Sequence, residues 1–483
     1  MMANKKMIIG LAAAALLVVV FAVPATATQL KFNGDMNHRF ILDTNHYDFI
    51  RGAGSDKGKR IDDKSVYENM AEIKYRFWFE AASDDDQVKG VFATEVGGLR
   101  FGQPGSMEYS GDQVKMEVRW GYLDFQLPFA EQKARVRIGL QPINVNYWMW
   151  KETVGAVKLY GSSGLGDYEL AWMRGYEADV TSDDDTDLRN DQDAIYGRLN
   201  LKPQTGMDVG LFALYQWSNI DDEDQTYIDP QTKKLLDYEI NPRDWELSQI
   251  GKNIDISVVS LGTDGKMDFG SFFLKWDLIY QTGSLDGVRL YDLDNNPVSA
   301  GLEDYDLDAY FLHTDLGMKI GKSTLTYTFW YASGDDDPTD DDLEAFLTTD
   351  TDIFDNICLM EGGWSDDDYF TERPYMADRG FIMNKLALDY QATEKTKVGI
   401  AGMHMMTAED MEYTDDNGNS VSEDTIGVEF DAYIKHKLFK NVEVALNGGY
   451  LFADDAMDYY DERQDGSSDE DIYRIDMRVR YKF

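Results

Sequence analysis

From Ile472 to Phe483 the chain alternates without interruption between apolar and charged residues. Tyr473, Ile475, Met477, Val479, Tyr481 and Phe483 fall on one side of a period-2 strand, and Arg474, Asp476, Arg478, Arg480 and Lys482 fall on the other. The pattern recurs upstream: Ile73, Tyr75, Phe77 and Phe79 oppose Glu72, Lys74, Arg76 and Glu80; Val136, Ile138 and Leu140 oppose Arg135 and Arg137; Ile195, Leu199 and Leu201 oppose Arg198 and Lys202. It predicts about 18 strands of roughly ten residues each, with about 16 as the alternative count. Expected strands include 30–41, 68–82, 88–101, 113–127, 133–141, 252–263, 266–282, 395–408, 424–439 and 470–483.

The connections between these segments alternate in length. Residues 83–87, 161–165, 203–205, 263–265 and 392–394 make short turns, whereas 42–67, 177–191, 219–251, 283–304, 334–377 and 409–423 make long loops. Short periplasmic turns alternating with longer external loops, with an even strand number that leaves both termini on the periplasmic side, describe an all-β transmembrane antiparallel up-and-down β-barrel. A soluble sandwich or propeller has no reason for that alternation. Aromatic residues near the outer ends of strands (Tyr168 and Trp172, Tyr215 and Trp217, Trp276 and Tyr280, Phe329 to Tyr331, Tyr450 and Phe452) fit a girdle at the headgroup layer.

At the other end of the chain, Lys5 and Lys6 precede an apolar run from Met7 to Val23 and the small-x-small site Ala25-Thr-Ala27. Residues 1–27 are expected to be a cleaved signal peptide, with a permanent anchor helix as the alternative, and residues 28–483 a single barrel domain. The expected destination is the outer membrane of a Gram-negative type of cell. The single cysteine, Cys358, excludes an intramolecular disulfide.

The formal net charge of −43 argues against nucleic acid as a partner. The carboxylates crowd into the long loops, at Asp183 to Asp185, Asp221 to Asp224, Asp335 to Asp337, Asp340 to Asp342, Asp366 to Asp368, Asp454 with Asp455, and Asp469 to Asp471. They form either a solvated, self-repelling surface or loop-bound Ca²⁺ sites. Asp415-Asp-Asn-Gly418 has a turn but not the alternating ligands of an EF-hand, and no other cofactor is expected.

Basic residues follow the opposite rule and fall on the strand face away from lipid, where an Arg or Lys avoids a penalty of about 2–4 kcal/mol at the bilayer midplane. The expected pore-lining set is Lys74, Arg76, Lys115, Arg119, Arg135, Arg137, Arg198, Lys202, Arg474, Arg478 and Arg480, with Lys275, Lys319, Lys385 and Lys435 added by phase. In the fourth strand Val114, Met116, Val118 and Trp120 are placed outward; the phase slips between Gly121 and Asp124, so Asp124 is left unassigned. Rings of Arg and Lys favour anions in pores. The alternative is a neutral ladder in which Glu72, Glu80, Glu117 and Asp476 pair across strands with these cations.

Two connections stand out. Gln141 to Trp150 is rich in aromatics and is expected to act as an interfacial anchor rather than a sugar-gripping loop. Loop 334–377 is expected at the surface, because Asp triplets are costly against a dry wall, with an inward constriction as the alternative.

The segment Arg135-Val-Arg-Ile-Gly-Leu-Gln-Pro142, the Arg-bearing strands and the acidic loops together resemble outer-membrane porin-type barrels, and among these the alginate-export-like family. The resemblance covers residues 28–483 and implies an 18-stranded barrel with a basic lumen that passes an acidic polysaccharide or another organic anion. The function expected is an outer-membrane channel for diffusion or export of small solutes; the alternative is a non-conducting barrel that anchors acidic, cation-binding loops. Expected partners are outer-membrane lipids, small or anionic solutes, and the barrel-assembly machinery through Phe483, with the protein a monomer or homotrimer. No catalytic activity is expected, because the five histidines, His38, His46, His313, His404 and His436, are scattered and no nucleophile elbow or zinc motif occurs.

Overall fold

The computed structural model describes residues 28–44, 67–104, 107–109, 114–128, 134–177, 191–218, 254–290, 303–337, 339–351, 379–460 and 471–483, with short pieces at 227–228, 235–236, 239–240, 247–250, 353, 357–359, 465–466 and 468. The signal segment 1–27, Asp183 to Asp185, Asp221 to Asp224 and Asp366 to Asp368 lie outside the described residues.

Eighteen antiparallel strands follow one another in space as they do in sequence. They are β1 (Thr28–Thr44), β2 (Tyr67–Ser83), β3 (Val88–Arg100), β4 (Glu117–Gln126), β5 (Arg135–Pro142), β6 (Thr153–Ser162), β7 (Asp167–Tyr176), β8 (Gln192–Gln204), β9 (Met207–Trp217), β10 (Asp255–Asp268), β11 (Phe272–Leu290), β12 (Glu303–Ile320), β13 (Ser323–Ala332), β14 (Phe381–Gln391), β15 (Thr396–Thr414), β16 (Ser420–Phe439), β17 (Val442–Ala453) and β18 (Ile472–Lys482). The sheet closes where β18 pairs with β1, from Asp35 opposite Lys482 to Asp43 opposite Arg474. Closure leaves no sheet edge, which a spanning sheet requires because lipid offers no partner for a backbone N–H or C=O.

The period-2 pattern sets the two faces. Leu278, Leu316, Leu386, Ile400, Phe430 and Leu446 are exposed on the outer wall as a lipid-facing band. Their strand neighbours point inward. Periplasmic turns are tight: Gly206 and Gly270 carry φ of +82° in the β8–β9 and β10–β11 turns, a conformation that favours glycine.

Four local expectations are corrected. The segment 263–265 is not a turn; β10 continues to Asp268, because Asp264 and Lys266 stay in inward phase and pair with Arg198 and Asp208. Residues 409–423 are not a long loop either, since β15 and β16 run on as a hairpin whose turn is capped by Asp415. In β4 the irregularity lies between Val118 and Trp120 rather than after Gly121, so Trp120 turns inward, its ring centroid 6.0 Å from that of Trp78, and Asp124 takes an inward position opposite Arg137. Trp330, counted with the girdle, is fully buried on the inner face, whereas Tyr280 and Tyr310 pair on the outer one with centroids 5.1 Å apart.

The lipid face sets the first prediction. Leu386→Arg places a guanidinium near mid-strand on the outer wall and is expected to destabilise the barrel by about 2–4 kcal/mol, while the inward neighbour Ala387→Arg costs much less. Denaturant titration of refolding into lipid vesicles measures both.

Candidate functional site: the barrel lumen

Most of the cations expected in the lumen are held by carboxylates on neighbouring strands. Lys74 Nζ lies 3.6 Å from Glu95, Arg76 donates to the same carboxylate, and Arg119 Nη2 reaches Glu152 at 3.0 Å. Arg135 Nε and Arg137 Nε both donate to Asp124, at 2.6 and 2.9 Å. Arg198 forks onto Asp264, with Nη1 and Nη2 at 2.6 and 2.5 Å. Arg478 Nη2 meets Glu443 at 3.1 Å, and Arg480 Nε meets Asp35 at 2.8 Å. Arg474 is buried opposite Asp43. Lys115 lies in the exposed stretch before β4, outside the strand in which it was expected, and Lys202 is exposed near the periplasmic end of β8.

The pairing is not one to one. Asp124 serves two guanidiniums and accepts the Tyr160 hydroxyl at 2.6 Å. The Arg137 guanidinium also lies over the rings of Tyr122 and Tyr160, 4.6 and 5.3 Å from their centroids. Asp35 serves both Arg480 and Lys482, and Glu95 serves Lys74 and Arg76 while standing 4.0 Å from Arg119. These three cation-rich clusters occupy one continuous wall from β18 through β1 to β6. Elsewhere on the barrel Lys266 pairs with Asp208, Lys319 with Asp268, and Lys275 with Asp315, which also stands 3.6 Å from His313, while Arg174 faces Asp191, Asp193 and Glu177.

Among the described residues two loop segments enter the external half of the lumen. The segment Ile143 to Trp150 folds inward rather than anchoring at the interface. Trp148 packs on His313, Trp330 and Phe311 with ring centroids 4.4, 4.7 and 5.7 Å away, and its Nε1 donates to Asp277 at 3.1 Å. Asn146 donates to the same carboxylate at 2.8 Å.

Of the loop between β13 and β14, the described residues 343–351, 353 and 357–359 also enter the barrel, a correction to the surface position expected for the loop. Asp336, Asp337 and Asp340 to Asp342 are exposed, whereas Asp335 is buried, and the apolar stretch Leu343, Ala345, Phe346 and Leu347 is buried against the wall. Most of the charge of the described part of this loop is thus exposed and its apolar stretch enclosed, with Asp335 the buried exception.

Buried amides on the inner wall hold this strap. Gln281 of β11 accepts from the Leu347 N–H and donates to the Leu347 carbonyl, both at 2.9 Å. Gln216 of β9 accepts from Thr349 Oγ1 at 2.9 Å. The strap binds the first loop through Thr349 N–H to the Met149 carbonyl at 2.9 Å and Lys151 N–H to the Asp350 carbonyl at 3.0 Å. On the far wall, Glu429 of β16 accepts from the N–H groups of Ile357 and Cys358, each at 2.9 Å. Sequence reasoning passed over Gln216, Gln281 and Glu429; their only signal is a polar residue in inward phase near the outer end of a strand.

Among the described residues no group of three or more His, Cys, Asp or Glu side chains is placed to hold a metal ion. The Asp415 carboxylate is occupied by its own turn, bonded to the Asn419 side chain and to the N–H groups of Asn419 and Asn417, and these bonds hold it below the usual carboxylate range.

No family model and no curated protein matches this chain. Several solved structures are similar to it in shape. OccAB4 of Acinetobacter baumannii aligns over 95% of this chain and 100% of its own at 9% identity and a TM-score of 0.48. The outer membrane protein OpdK of Pseudomonas aeruginosa aligns over 94% and 99% at 10% identity and 0.45. A loop-deletion form of OmpT, an outer membrane protein of Vibrio cholerae, aligns over 95% and 100% at 10% identity and 0.39.

The amide anchors give a second prediction. Gln281→Leu leaves the buried Leu347 N–H and carbonyl without their partner, a loss of about 1–3 kcal/mol of local stability. Hydrogen exchange at Leu347 is expected to accelerate while exchange in the β1–β2 ladder stays unchanged.

Proposed function

We propose that the protein is an outer-membrane channel for small water-soluble solutes, with a preference for anions or acidic saccharides set by the wall from β18 to β6. The observation that carries the preference is the sharing of carboxylates on that wall, where Asp124, Asp35 and Glu95 each serve more than one cation. A carboxylate shared by two guanidiniums leaves net positive charge at the wall, and a lumen bounded by protein screens it less than open water does. Arg135 and Arg137 also lie in the segment that resembles the alginate-export-like family, which supports an acidic solute. Carboxylates in the loops and cations at the wall give a solute first a repelling rim and then an attracting passage.

A second reading has its own support. Described residues of the loop between β13 and β14 are held both at β11, through Leu347, and at β16, through Ile357, as a sealed barrel with working external loops would require. Electrical measurement separates the two. In a KCl gradient across a planar bilayer, the wild-type reversal potential is expected on the anion-selective side. The double variant Arg135→Ala with Arg137→Ala is expected to move it toward cations, because Asp124 then stands uncompensated. An unchanged reversal potential would mean that these pairs only brace the wall.

A further inference from the structure

Three successive inward positions of β2 carry a cation, an aromatic ring and a carboxylate: Arg76, Trp78 and Glu80. Cross-strand register sets Trp78 opposite Ala93 of β3, and Ala93 opposite Trp120 of β4. The two strands that flank a third stand about 10 Å apart, so two indoles meet only across a small middle residue. Here they meet, with ring centroids 6.0 Å apart and planes at 63°, and Ala93 is buried under them. Both indoles are half-buried, and among the described residues no cation lies over either ring. Tyr122 and Tyr160 differ in this respect, because the Arg137 guanidinium lies over both.

The polar groups on either side of the ring pair are not consumed by the wall. Arg76 donates to Glu95 through Nε alone; its two Nη groups meet no acceptor among the described residues, and its side chain is 31% exposed. Glu80 has neither a hydrogen-bond nor an ion-pair partner among the described residues, although a neutral ladder would give it one. About 7 Å of strand separates each of them from Trp78, a gap that the arm of an Arg or Glu spans. Five residues before the end of β2 at Ser83, the pair stands in the periplasmic half of the lumen.

We propose that Arg76, Trp78, Trp120 and Glu80 form a binding subsite for a pyranoside that carries one carboxylate, of the hexuronic acid type. The indole pair takes the C–H face of the sugar ring out of water. The open Nη fork of Arg76 receives the carboxylate, a bidentate pairing that suits a planar guanidinium. Glu80 accepts hydroxyl hydrogens at the other end of the ring. No simpler acid uses all three: an inorganic anion needs only the fork, and an aromatic acid without hydroxyls brings nothing to Glu80. A chain of uronic acids sets the carboxylate of its next ring against Glu80, where like charges repel. The subsite sharpens the acidic-solute preference and rests on the channel reading for its part in passage, whereas binding itself needs no current.

Isothermal titration calorimetry on the full-length refolded protein in detergent micelles tests the subsite, with glucuronate as probe and glucose, acetate and digalacturonate as comparisons. Wild type is expected to bind glucuronate about tenfold or more tightly than any of the three, the factor that one charge-assisted contact contributes. Trp78→Ala and Trp120→Ala should each weaken glucuronate and glucose together. Arg76→Gln should bring glucuronate down to the affinity of glucose and leave glucose unchanged, a split that a merely structural role would not produce. Glu80→Gln should tighten digalacturonate. Glucuronate bound no more tightly than acetate by wild type, or as tightly by both indole variants as by wild type, overturns the subsite; unchanged digalacturonate binding in Glu80→Gln overturns its choice of a singly charged sugar. If the indole variants fail to assemble, the Arg76→Gln titrations decide. Glucuronate binding by a barrel that passes no current in planar bilayers keeps the subsite and removes the channel reading. Anion-selective current without glucuronate binding removes the subsite alone.

Discussion

Backbone hydrogen bonding in lipid is the constraint on which the rest of the structure depends. A chain that crosses a bilayer as strands must satisfy every N–H and C=O within the sheet, so the first strand has to find the last. The ends of this chain do that directly. Gly34 and Phe483 exchange backbone hydrogen bonds of 2.9 and 3.0 Å, and the Phe483 ring lies where a side chain at position 34 would stand. Phe32 and Tyr481 pack on the same ring, with centroids 5.5 and 5.1 Å away. The C-terminal aromatic is thus part of the seam that closes the barrel.

Closure forces the polar half of every strand inward, and two solutions to the resulting burden coexist in one lumen. Toward the periplasm the inward residues are charged and paired in ladders, with surplus cations on the wall from β18 to β6. Toward the outside the loops enter and bury an apolar core around Trp148, Phe346, Trp330 and Phe381. A backbone segment placed there needs partners as much as one in lipid does. Gln281, Gln216 and Glu429 supply them, which explains why polar residues stand fully buried among aromatic ones.

The barrel was legible in the sequence because lipid imposes a strict period of two. Arg478 and Arg480 could be assigned a face from their neighbours alone, and the strand count followed from the turns. The irregularity at Val118 to Trp120 hid Asp124, since one inserted residue reverses the phase of all that follow it. The loops were less legible for a different reason. Nothing in Ile143 to Trp150 distinguishes an aromatic cluster that faces lipid from one that packs on His313 and Trp330, because both demand the same side chains. The strap was misplaced because its acidic and apolar halves were weighed together. Which cations outnumber their carboxylates depends on cross-strand register, as at Asp124 between Arg135 and Arg137, and register is a property of the closed sheet.

The central claim is that this barrel conducts despite the loops within it, and single-channel recording in planar bilayers tests it most directly. Purified full-length protein added to one side is expected to produce discrete, uniform current steps. Insertion without any conductance steps, verified by protease protection of the same bilayer or vesicle sample, would contradict the account and leave a sealed barrel.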